Sequence, residues 1–146
     1  MLNHLLAVLV LRMVSFLFQR KMGLKVKVSF QRRVFMEDLN VSGWYHYGHK
    51  EAMIGYQFGY DHSLITLLHE LWHGVQDKDQ AFPETMAQAE YWDYIYHSDD
   101  VAAATVVAFS DIYDEEERWV EYQAELMARD FARYEYRWAA WILRKI

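Results

Sequence analysis

Residues 67–76, LLHELWHGVQ, set two histidines four apart with a glutamate directly after the first. In a helix, residues i and i+4 stand on one face, so His69 and His73 present both imidazoles to a common point. Glu70 leans over the same point from the side. The arrangement suits two metal ligands and a carboxylate base that acts on a water held by the metal. A helix is expected from about Leu64 to Gln76, with Asp61 or Ser63 available to cap it. Leu64, Leu67, Leu68, Leu71 and Val75 supply its buried side, and Thr66, His69, Glu70 and His73 share another.

Catalytic zinc takes three protein ligands and a water, so two histidines leave the set one short. The chain has no cysteine, so a further ligand has to be a histidine or a carboxylate. Asp79 and His97 are the near candidates. The distant ones lie in RWVEYQAELMAR, residues 118–129, where Glu121 and Glu125 stand four apart. Ala128, Ala132 and Ala139 continue their stripe. Small side chains there would let the helix approach another closely and turn both acids towards it.

HExxH followed downstream by ExxA and a polar residue one turn later resembles the gluzincin branch of zinc metallopeptidases. The match covers His69–His73 and Glu121–Ala132 closely, and the upstream order only in outline. The resemblance implies that Glu121 is the third ligand, with Glu125 supporting a histidine from where the family usually has Asp or Asn. A second register, Glu125-Leu126-Met127-Ala128, makes Glu125 the ligand and is similar to compact regulatory metallopeptidases of phage and bacterial repressor control. Another zincin class places its ligand where Asp79 stands, but it needs a glycine three past the second histidine. Gln76 occupies that position. The gluzincin likeness implies one Zn(2+) per chain, Glu70 as base and later proton donor, and a protein or peptide substrate laid beside the strand Glu51–Phe58. A tyrosine or histidine would hold the oxyanion. A zinc-binding regulatory or interaction module without turnover is the alternative.

Outward from the motif, LKVKVSF (residues 24–30) alternates as a half-buried strand does. GWYHYGHKEAMIGYQF (43–58) is expected as two aromatic strands joined near Gly48-His49, with Ala52, Ile54, Tyr56 and Phe58 on one face. Pro83 opens a helix over PETMAQAEYWDYIYH, and Ser98-Asp99-Asp100 caps a short one through Phe109. From Asp114 to Ile146 no Gly or Pro interrupts the pattern, and acids lead while Arg144 and Lys145 end it, which predicts one long terminal helix. The fold class is therefore α+β. It comprises an N-terminal helix, a small, mostly antiparallel sheet, the HExxH helix and a helical C-terminal half. The likeness makes it a single zincin-like domain over residues 1–146.

Composition sets the limits. With 53% apolar and 17% aromatic residues and a single proline, the chain buries a real core. Absence of cysteine fits a cytoplasmic setting. The net charge of −6 is unevenly placed. Residues 1–36 hold seven Lys/Arg and no acid, and all 21 acids follow them. The acidic majority argues against a nucleic-acid partner. The run from Leu5 to Phe18 is apolar nearly all round, as in a buried helix, and is short for a bilayer span. A core helix is the reading preferred over membrane contact through residues 2–18.

Overall fold

A computed structural model of the protein describes residues 1–36, 39–79 and 115–146. Among them the order is α1 (Leu2–Met22), β1 (Lys27–Gln31), β2 (Val34–Met36), β3 (Leu39–Val41), β4 (Gly43–His46), β5 (Glu51–Gly55), α2 (Tyr60–Asp79), α3 (Glu115–Arg133) and α4 (Arg137–Lys145). The chain is α+β, as its patterning predicts. The helices expected from Pro83 and from Ser98 lie outside the described residues, as does His97.

Helix α1 ends at Gly23, whose left-handed backbone (φ 66°) caps it on the Gln19 carbonyl. The Gln19 side chain then accepts a 2.7 Å hydrogen bond from the Val26 amide, which aims the chain into β1. The three-stranded sheet runs β1-β5-β4, with β5 in the middle. The hairpin pairs β4 with β5 in antiparallel register, Trp44 opposite Met53, but β1 joins β5 in parallel, Ser29 opposite Met53. The sheet is thus mixed, and β2–β3 form a separate antiparallel pair. Strand β5 stops at Gly55, so of the four residues expected on its inner face only Ala52 and Ile54 are buried, while Phe58 is half exposed in the following turn.

Helix α2 starts four residues earlier than expected. Ser63, within its first turn, caps nothing and instead ties the helix to the sheet, with its hydroxyl 3.0 Å from the Gly55 carbonyl and 2.9 Å from that of Gly59. Leu64, Leu67, Leu68, Leu71 and Val75 enter the core with Ala7, Val10, Leu11, Val14 and Phe18 of α1. Ala128 and Ala132 of α3 and Ala139 of α4 join them, the small-residue stripe expected of the C-terminal segment. Gly43 lets α2 press onto the sheet. A methyl group there would stand 2.6 Å from Thr66 Cγ2 and 2.9 Å from the Met53 carbonyl oxygen.

Two expectations need correcting. The terminal segment is not one helix. It breaks at Tyr134–Tyr136, where the Tyr136 amide donates to the Phe131 carbonyl, five residues back. Good helix formers favour continuation by only a few tenths of a kcal/mol each. Folding back buries Tyr136, Ala139 and Leu143, and full burial of one large side chain is worth ~1.5–3 kcal/mol. Tertiary packing therefore wins. Nor is α1 apolar all round inside a core: Leu2, Leu5, Leu6, Leu9, Met13, Phe16 and Leu17 face outward.

Candidate metal centre

Helix α2 carries His69, Glu70 and His73 on a surface closed over by α3 on one side and by the β4–β5 hairpin on the other, so all three are buried. The two imidazoles lie edge to face with centroids 4.8 Å apart. Both turn Nε2 towards Glu121 of α3: His69 Nε2 donates to Glu121 Oε2 at 2.8 Å, and His73 Nε2 lies 3.2 Å from Glu121 Oε1.

The outer nitrogens are each held by a different group. His69 Nδ1 donates to Glu125 Oε2 at 2.8 Å, and Arg129 grips the other Glu125 oxygen at 3.0 Å. The two glutamates therefore sit on opposite sides of one imidazole. Only Glu121 shares the space between the histidines.

His73 Nδ1 donates to Gln76 Oε1 at 2.7 Å. The amide orientation of Gln76 is fixed by its other end, where Nε2 donates to the Val120 carbonyl and to Gln123 Oε1, at 3.0 and 2.9 Å. Gln123 is fixed in turn, because the Trp72 indole, which can only donate, also points at its Oε1. With Gln76 Oε1 facing Nδ1, an imidazole that lent Nε2 to a metal would keep its proton on Nδ1. Sequence reasoning missed Gln76, noting it only for not being glycine. Its signal was the spacing, three residues past His73 on the same face. Asp79 closes α2, six residues beyond His73.

The electrostatics follow from this crowding. Burial would lower the His69 pKa, but hydrogen bonds to Glu121 and Glu125 raise it well above the usual histidine value. Burial would raise both glutamates, yet the hydrogen bonds from the histidines hold Glu121 well below the carboxylate range and lower Glu125 too. Without a metal, both ring nitrogens of His69 face carboxylates, which favours its protonated form. Glu70 goes the other way, its pKa raised by burial against the pull of both histidines. Tyr47, on the turn after β4, has its hydroxyl 3.2 Å from His73 Nδ1, and burial and then the charges of Glu121 and Glu70 keep that phenol protonated.

His69, His73 and Glu121 offer three ligand atoms within 4.8 Å of one another, a group able to hold a metal ion. A tetrahedral ion ~2.1 Å from each donor needs donors roughly 3.4 Å apart, a spacing of the same order as the separations in this group. Two imidazoles and one carboxylate, with each outer nitrogen already engaged, fit zinc in number and chemistry.

No protein-family model matches the chain, and no curated protein or solved structure matches it either. The gluzincin likeness rests on the sequence motifs alone.

Proposed function

We propose that the chain is a zinc-dependent metallopeptidase in which His69, His73 and Glu121 hold the ion and Glu70 moves the proton. The observation that carries this reading is the convergence of both Nε2 atoms on one carboxylate, with Glu70 buried alongside. When bound, zinc supplies Lewis acidity towards a water and a peptide carbonyl. Glu70 accepts the water's proton on its carboxylate and returns it to the departing amine nitrogen. Its raised pKa suits both transfers, because the best acid–base group titrates nearer the working pH than an ordinary glutamate does. Tyr47, kept protonated, is the donor assigned to the carbonyl oxygen as charge develops there.

The substrate edge differs from the sequence expectation. Strand β5 is hydrogen-bonded on both sides, so an extended peptide has no free edge there. Strand β4 is an outer strand of that sheet among the described residues, and Tyr45 and Tyr47 bring its end to His73. We assign peptide docking to β4, through main-chain hydrogen bonds.

Chelation should stop cleavage of an unfolded protein substrate, and zinc should restore it. Glu70→Gln should keep zinc and fold while losing ~10²–10⁴-fold in turnover. An unaltered rate would contradict the assignment. Stoichiometric zinc with no turnover on any unfolded protein would replace it with the binding module, and loading with iron in preference to zinc would point to oxygen chemistry on the same donor set.

A further inference from the structure

The outward face of α1 is apolar where solvent-exposed helices are usually polar. Leu2, Leu5, Leu6, Leu9, Met13, Phe16 and Leu17 recur at helical spacing and fall on one side, with Leu5, Leu9 and Phe16 about 60% exposed (61%, 59% and 62%). The opposite side is the core, where Ala7, Val10, Leu11, Val14 and Phe18 pack against α2 and α4. Seven Lys/Arg and no acid occupy residues 1–36, and Arg12, Arg20, Lys21, Lys25, Lys27, Arg32 and Arg33 are all exposed. They gather beside the helix. Arg20, Lys21, Lys25 and Lys27 cluster by sequence at its C-terminal end, and Arg12 stacks over Phe30 of β1, the strand that leads into Arg32 and Arg33. Among the described residues, Lys21 pairs with a carboxylate, Glu135 at 2.7 Å.

We propose that this face seats the protein on an anionic lipid bilayer, with α1 lying in the plane of the interface. A greasy stripe edged with cations fits the boundary between acyl chains and negative headgroups. Residues 37–146 carry all 21 acids against eight Lys/Arg, so the net positive charge belongs to the segment that bears the apolar face. The helix, at 21 residues, is long and apolar enough to cross a membrane. Crossing would strip five core side chains from α2 and α4, so it lies flat instead. A second copy is the poorer occupant, because a symmetric contact through this face brings the cations that flank it towards their own copies.

The test is flotation of the whole protein with vesicles of phosphatidylcholine, with and without about one third phosphatidylserine. Partitioning should be at least ~10-fold stronger into the anionic vesicles and should weaken in high salt. Leu5→Glu/Leu9→Glu/Phe16→Glu changes only exposed positions, so circular dichroism and the thermal transition should be preserved while partitioning falls at least ~10-fold. Arg12→Ser/Arg20→Ser/Arg32→Ser/Arg33→Ser should lose the preference for phosphatidylserine. Absence of wild-type binding, or equal binding by the folded glutamate variant, overturns the proposal. So does a lipid-free dimer that the same variant dissociates, which would give the face to a second copy.

Discussion

Gln76 Oε1 sets the proton of His73, so its effect should appear in metal affinity before it appears anywhere else. Gln76→Leu is expected to weaken zinc binding ~10–100-fold in a chelator competition, well short of the loss in His73→Ala. The Val120 carbonyl and Gln123 lose a partner too, which costs about 1–3 kcal/mol of stability in urea titration. Unchanged affinity would show that the tautomer is set by something else. The same cluster fixes a pH dependence. His69 has a folded pKa above its unfolded ~6.5, so its stabilisation of the metal-free protein is fully present below pH ~6.5 and fades as pH rises through the folded value. The raised Glu70 acts with the same sign, since its protonated form is favoured by folding. Glu121 and Glu125, depressed, contribute above pH ~4.3 and lose that contribution as pH falls through their folded values. The urea midpoint of chelator-stripped protein should therefore be higher near pH 5.5 than near pH 8.5. Zinc must displace the His69 proton, so its affinity should run the other way, rising by up to ~10-fold per pH unit across the same range. A stripped protein that gains stability from pH 5.5 to 8.5 would contradict protonation of His69 between its two carboxylates.

At the scale of elements, the site is held by how closely α2 lies on the sheet. Gly43 is the contact that sets this, because an added methyl group meets Thr66 Cγ2 and a backbone oxygen and comes 3.4 Å from Glu70 Cγ. Backbone cannot yield as a side-chain end can, so Gly43→Ala should push the helix outward and cost about 1–3 kcal/mol. Turnover should fall further than stability does, since Glu70 moves with Thr66. A variant with wild-type thermal stability and turnover would show that the contact is slack. The C-terminal break makes a second test. Tyr136 anchors the fold-back by burial between Phe131 and the α4 stripe, and Tyr136→Ala should cost ~3–5 kcal/mol. A loss under about 1 kcal/mol would mean that α4 docks without it.

Over the whole molecule, what could be read from the sequence was whatever local periodicity encodes. The α2 leucines, the alanine stripe of α3 and α4, the aromatic hairpin and the histidine pair all declare themselves within a few residues. The likeness to gluzincins added Glu121 across a long separation, and the geometry sets it between the histidines. The parallel partnership of β1 with β5 was not legible, because alternation gives a strand its faces but not its neighbour. Nor was the break after Arg133, which long-range burial imposes on residues that locally favour helix. The exposed side of α1 escaped for the opposite reason: an all-apolar sequence does not say which side finds a partner. Metal binding should register globally as well. Zinc at ~100 times its Kd adds about 2.7 kcal/mol, enough to raise the Tm of a chain this size by roughly 5–10 °C. The most direct test of the centre is zinc content and affinity after stripping and reloading, in the wild type and in Glu121→Ala and Glu125→Ala. The account predicts about one zinc per chain, loss of most affinity in Glu121→Ala, and only a ~10–100-fold reduction in Glu125→Ala. Equal and small losses in both variants, or a larger loss for Glu125→Ala, would contradict it.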